Sequence, residues 1–283
     1  MRKFPLLVLA ALFSISMATA QNNASNLQQL GNDNSTEVTQ QGQSNSSLVI
    51  QGDDLNITTV SQNGAANTSD VQMEKGANDV QVTQIGNQNA SATFISEANN
   101  VAISSQEGNL NVVRQDLNAF SGEAGAVQMG NSNKAIQAQS GVSGHSAYID
   151  QTGDGNLATQ DQKGENHGMR TLQIGSNSAA IATQNGISNN IGLIQEDGDA
   201  NNAVISQDGD NNFAGGVDEF LLIQGGNENT LLLDQTGNEN ASAISQLGDR
   251  NEAINSQSGA GNNNIIMQDG SRNSATVTQK EFE

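Results

Sequence analysis

The sequence predicts an all-β chain folded as a β-solenoid of about 11 stacked strand-turn-strand coils, each coil of 22 residues built from two units of 11. Three observations predict it. A glutamine recurs at 11-residue spacing, a glycine and an asparagine follow it at fixed offsets, and charge falls on only one of two alternating faces in the run between.

The recurring position runs from Gln29 through Gln40, Gln51 and Gln62 to Gln268 and Gln279, with Met73, Ile95 and Leu117 standing in for glutamine. Nineteen of its 22 intervals are 11 residues long. Single residues are inserted before Gln151 and Gln207, and six residues between Gln207 and Gln224. A low-complexity disordered chain would not hold this register, although the low hydrophobicity and high charge alone would suit disorder.

Each unit reads Gln, any residue, Gly, two residues, Asn, then five residues to the next glutamine, as in Gln235, Gly237, Asn240 and Gln246. Gly and Asn supply left-handed or tight turn geometry. The run from Asn to Gln has the length of one strand. Charge tests that strand independently, because side chains on a strand alternate between faces. Positions four, two and zero before each anchor hold no charged residue in 66 slots, whereas positions five, three and one hold thirteen, including Glu37, Asp70, Arg114, Lys134 and Glu252. One face is therefore dry and the other wet.

One unit supplies one strand and cannot bury its own inner face, so two must pair as an arch. A 22-residue alternation supports that pairing: the units at Gln51, Met73, Ile95 and Leu117 lack the glycine that those at Gln40, Gln62, Gln84, Gln106 and Gln128 carry. Inward Ala, Ser, Thr, Val, Ile and Leu then close a thin core. Stacked Gln and Asn can join coil to coil as amide ladders.

Boundaries follow from the same reading. Residues 1–20 have the basic, apolar and small-residue order of a secretory signal peptide, with Ala18-Thr19-Ala20 at the cleavage end. The apolar run from Phe4 to Met17 is too short to span a hydrocarbon layer of about 30 Å. A short segment, 21–28, precedes the repeat region at 29–279, and residues 280–283 form a tail. The range 213–223, with Phe213, Phe220, Leu221 and Leu222, is read as a bulged loop, with a lateral contact site as the alternative.

Composition narrows function. The net charge is −20, and −22 without Arg2 and Lys3, which argues against nucleic acid or anionic lipid as a partner and, with no later apolar span, against membrane insertion. With no cysteine, neither a thiol nucleophile nor a disulfide framework is available. His145 and His167 fall at or beside the asparagine slot and read as turn substitutions, not as catalytic groups. No nucleophile elbow or single phosphate-cradling glycine loop occurs. The chain reads as a non-enzyme with no cofactor. Asp197-Gly198-Asp199 and Asp208-Gly209-Asp210 could offer oxygen ligands to a divalent ion. The 11-residue, Asn-dominated period gives no structural calcium site, and no metal is assigned.

Gln151, Gly153, Asn156, Ala158 and Gln162, with Gly155 between, resemble the curlin repeat at every fixed position. Partial matches cover nearly the whole repeat region, such as Gln84, Gly86 and Asn89, or Gln268, Gly270, Asn273, Ala275 and Gln279. The resemblance implies a secreted β-solenoid subunit exported through an outer-membrane channel, partnered by a nucleator, and polymerised into extracellular amyloid fibres that serve biofilm matrix and adhesion. Departures are the usual loss of the second turn glycine, as at Glu239 and Arg250, and a short stretch where those proteins carry a longer export-targeting arm. Even charge along the chain favours a major subunit over a nucleator.

No capping segment is evident, and the unit ending at Gln279 still reads as a repeat. Open ends expose unpaired strand edges, so the expected partner is a second copy, joined head to tail. Outer acids such as Asp53, Asp54, Asp208 and Asp210 would discourage lateral contacts. The alternative is a monomeric solenoid acting as an adhesin or ligand-binding protein.

Overall fold

In a computed structural model of the protein, residues 22–215 and 222–281 are described; the leader read at 1–20 lies outside them. The described residues contain strands and turns and no helix. Strands alternate between two facing sheets, beginning with Ala24–Gln29 in one and Ser35–Gln43 in the other, and ending with Asn263–Asp269 and Ser274–Lys280. Every pairing is parallel and joins equivalent positions of successive coils, for instance Ser35 with Ile57 and Gln40 with Gln62. The chain is a β-solenoid of about 11 coils, and no helix among the described residues is long and apolar enough to cross a membrane.

The ladder starts earlier than the repeat count places it. Ala24–Gln29 pairs along its length with Ser46–Gln51, so most of the segment read at 21–28 is strand. The reason is geometric: in each unit the strand residues lead into the glutamine, so the residues before Gln29 form a rung of their own.

The irregular intervals are absorbed without loss of register. The extra residue before Gln151 forms a bulge between Gly141 and Ser143. The one before Gln207 lies in the turn holding Asp197 and Ala200, both at positive φ. Within the range read as a loop, Phe213–Ala214 pairs with Asn190 and Ile191, and Leu222–Gly225 pairs with Leu193–Glu196. These two pieces are one rung of the ladder, interrupted after Ala214. The loop reading of Phe213, Ala214, Leu222 and Ile223 is therefore corrected, and residues 216–221 lie outside the described ones.

The core is the narrow space between the sheets. Inward positions such as Val49, Val60, Val82, Ala102, Leu193 and Leu233 are fully buried, while alternate positions face solvent. Burial is lost only at the two ends. The inward Val38 of the first coil and the inward Ala275 and Val277 of the last are half-buried, because no further coil covers them.

Turns set how closely the coils approach. In the turns that follow the strands of the sheet that begins at Ser35, a glycine sits two residues beyond the glutamine, as at Gly42, Gly64, Gly86, Gly248 and Gly270; after Gln195 alone among the described turns of this sheet, Asp197 takes that place. Most have φ near +100° to +136°, and a Cβ on Gly64 or Gly86 would overlap the carbonyl oxygen of the next glycine in the column. Two residues later a left-handed residue follows in nearly every unit, filled by types as different as Leu110, Asn177, Glu239 and Arg250. The second turn glycine is dispensable because ordinary left-handed geometry admits a side chain at modest cost. The first is held by backbone contact between coils.

Candidate assembly interface

The buried polar side chains are organised as columns along the solenoid axis. In the sheet that begins at Ser35, each glutamine donates from Nε2 to Oε1 of the next. Gln40, Gln62, Gln84, Gln106, Gln128, Gln151, Gln173, Gln195, Gln224, Gln246 and Gln268 form one unbroken series at 2.8–3.0 Å. The second N–H of each amide crosses to a backbone carbonyl of the facing sheet, as from Gln151 to Lys134 at 3.2 Å and from Gln246 to Thr230 at 3.0 Å. Each interior amide thus has partners above, below and across, which is what makes its burial tolerable.

The other sheet carries the same ladder in two lengths. Gln29 bonds Gln51 at 2.7 Å, and Gln139, Gln162, Gln184, Gln207, Gln235, Gln257 and Gln279 are joined at 2.8–3.2 Å. Met73, Ile95 and Leu117 interrupt it with fully buried apolar side chains. Beginning at the last of these coils, a second amide column occupies the slot two residues before the anchor: Gln115 donates to Gln137 at 3.0 Å, and Gln137 to Gln160 at 3.1 Å. The sequence reading places these three glutamines inward without identifying them as a ladder. Their overlap with Leu117 is the signal that could have found them.

Asparagines hold the turns together. Asn156 accepts the Ser178 N–H on Oδ1 at 3.0 Å and donates to the Gly175 carbonyl at 2.8 Å, while its own N–H goes to Asn133. Asn240 links Asn212, Gly259 and Asn262 in the same way. Gly153 and Gly237 take positive φ beside them and approach Gly175 and Gly259. Ala158 is buried between the sheets. Gln268, Gly270, Asn273, Ala275 and Gln279 lie in the final turn and strands, where their columns run out.

The acidic turns have a local use. Asp199 accepts the Ser176 N–H at 2.7 Å, Asp210 the Ile187 N–H at 2.9 Å, and Asp208 the Asn185 side chain at 2.9 Å. Each carboxylate bonds the preceding coil, Asp199 and Asp210 at its backbone and Asp208 at a side chain, instead of converging on one point. Arg250 and Glu228, at equivalent left-handed positions of adjacent coils, pair at 2.8 Å on the surface.

His145 and His167 replace asparagine in one column, fully buried and stacked with ring centroids 5.2 Å apart. Their Nε2 atoms lie 3.2 Å from the Ser140 carbonyl and 3.0 Å from the Lys163 carbonyl. A carbonyl only accepts, so each Nε2 carries the proton. His167 Nδ1 then accepts the Asn189 N–H at 3.2 Å, which a second ring proton would abolish. Burial lowers both pKa values below the ordinary 6.5, and for His145 the neighbouring His167 adds to the effect. As pH falls the unfolded chain therefore takes up protons first. The stability from the neutral pair is complete above about 6.5 and declines below it. Denaturant unfolding is expected to show lower stability at pH 5.5 than at pH 7.5. A His145→Asn/His167→Asn variant, which restores the asparagine column, should lose most of that difference; an unchanged pH dependence would contradict the assignment.

Residues 226–259 match the family model of the curlin associated repeat. The chain carries a curlin-type repeat. The matched stretch contains Gln235, Gly237, Asn240 and Gln246, whose ladder and turn bonds are those just described, and the same bonding extends over the coils on either side. No curated protein matches the chain.

At both ends the columns stop with open valences. Among the described residues no donor reaches Oε1 of Gln29 or Gln40 at the first coil. Among the described residues, Gln268 and Gln279 at the last coil each use one N–H of Nε2, toward the Glu252 and Asn263 carbonyls. The strand edges of Ala24–Gln29 and Ser35–Gln43 at one end, and of Asn263–Asp269 and Ser274–Lys280 at the other, have no neighbouring strand among the described residues.

Proposed function

We propose that this protein is a secreted structural subunit that assembles head to tail into extracellular curli-like amyloid fibres, with a role in biofilm matrix and surface adhesion. The observation that carries this reading is the pair of uncovered ends. A parallel ladder with donors free at its last coil and acceptors free at its first is self-complementary in one polarity only, so the natural cap for each end is the opposite end of another copy. The curlin-type repeat supports the same reading, and by resemblance so do a nucleating partner and a secretion channel. The buried glutamines of the anchor positions are joined in ladders and the inward apolar side chains fill the core, a structural role that needs no catalytic group.

The test is incubation of the purified secreted chain, followed by thioflavin fluorescence and electron microscopy. Unbranched filaments whose growth is accelerated by preformed fragments are expected. A chain that stays monomeric by sedimentation at high concentration, with its sheet content already complete, would contradict assembly and leave a monomeric solenoid.

A further inference from the structure

The number of rungs fixes how one copy must sit on the next. Among the described residues, the sheet that starts at Ala24–Gln29 has twelve strands, and the other has eleven rungs once Phe213–Ala214 and Leu222–Gly225 are taken as two pieces of one. The solenoid between Ala24 and Lys280 therefore begins and ends in the same sheet, with a half-coil left over.

Resting on the head-to-tail reading, we propose that successive copies in the fibre are related by a half-turn about the solenoid axis, so that each sheet of one copy continues as the other sheet of the next. The joint then pairs Asn263–Asp269 with Ala24–Gln29 of the next copy, and Ser274–Lys280 with Ser35–Gln43 of the next copy. The chain continues as though its repeats ran on without a break, each subunit adding about 55 Å at the ordinary strand spacing. A copy added by translation alone would pair Ser274–Lys280 with Ala24–Gln29. It would leave Asn263–Asp269 and Ser35–Gln43 about 10 Å apart across an empty rung, with a strand's length of N–H and C=O groups unpaired on each side.

The side chains at the ends fit the half-turn. It brings Gln268 beneath Gln29 and Gln279 beneath Gln40 of the next copy, so both glutamine ladders run through the joint; translation continues only one. Asn264, in the last strand of its sheet, has a buried side-chain nitrogen without a partner. The half-turn sets Ser25 of the next copy against it, whereas translation sets it against the empty rung. Arg272 occupies the left-handed column already holding the Arg250–Glu228 pair, and the half-turn places Asp33 of the next copy in that column beside it. Inward, Ile266 meets Leu27 and Val277 meets Val38.

The chain has no cysteine, so disulfides can map the joint directly. Thr276, Glu37, Asn26 and Ile265 are exposed and point outward from the four end strands. Equivalent positions on adjacent parallel strands lie within disulfide reach. Oxidised filaments of a Thr276→Cys/Glu37→Cys variant are expected to run as a covalent ladder on a non-reducing denaturing gel, and so are those of Ile265→Cys/Asn26→Cys, which reports the second sheet of the same joint. Filaments of Thr276→Cys/Asn26→Cys should stay monomeric. Closure of that last pair instead of the first two would overturn the half-turn while keeping head-to-tail growth. Filaments in which no pair closes would overturn it as well. Failure of the unsubstituted chain to form filaments would overturn the head-to-tail reading itself.

Discussion

Replacing Gly108 by alanine is expected to lower the unfolding free energy by about 3 kcal/mol or more, combining backbone strain with overpacking. Gly108 has φ +114°, and a Cβ there would overlap the carbonyl oxygen of Gly130 in the coil above. The obstacle is backbone on both sides, so no rotamer change relieves it. Separating the coils would stretch the hydrogen bonds that join them, as from the Gly130 N–H to the Glu107 carbonyl at 2.9 Å. Leu110 provides the contrast two residues on. It is half exposed with φ +60°, so Leu110→Gly should leave stability unchanged or raise it by up to about 1 kcal/mol. Denaturant unfolding of both variants separates the two turn positions. A Gly108→Ala protein as stable as the parent would mean that the coils do not approach this closely.

The second large effect is expected within the ladder. Gln173 is fully buried, accepts from Gln151 at 2.8 Å, and donates to Gln195 at 2.8 Å and to the Leu157 carbonyl at 3.1 Å. Gln173→Ala removes three bonds at once, strands the Gln151 donor in a dry interior and leaves a cavity; a loss of about 3–5 kcal/mol follows from these two costs. Gln173→Leu refills the volume without restoring the bonds, so its loss should be smaller by about 1–2 kcal/mol. Met73, Ile95 and Leu117 already occupy this slot in the facing sheet, which shows that an apolar side chain fits there. If alanine proved milder than leucine, the cavity would not be what separates the two losses, and relief of the stranded amides rather than packing would govern the column.

Much of this architecture is legible in the sequence because every coil repeats the same local problem. The charge-free slots around Val49, Val60 and Leu193 mark the buried face. The glycines at 42, 64 and 86 mark the turns where coils approach, and the tolerance of Glu239 and Arg250 in place of a second glycine is explained by ordinary left-handed geometry. What spacing alone misses depends on three-dimensional neighbours. Counting anchors starts a unit at its glutamine, so the strand Ala24–Gln29 is hidden although it supplies the odd rung. Spacing also assigns the slot four before Gln224 to Phe220, whereas Ala214 fills it by pairing with Ile191. The column Gln115–Gln137–Gln160 lies where the main ladder is interrupted, a compensation visible only once the facing coils are stacked. His145 and His167 are recognisable as asparagine replacements, but their stacking, and the burial that lowers their pKa values, require two coils in contact.

The central claim is that one chain supplies many rungs of its own fibre instead of one. Mass per unit length, measured by scanning transmission electron microscopy on unstained filaments, tests it most directly. A 29.4 kDa chain advancing about 55 Å per copy gives about 0.5 kDa per Å for each protofilament. The same chain laid flat with one copy per strand spacing would give about 6 kDa per Å, and a value near that would contradict the solenoid fibre.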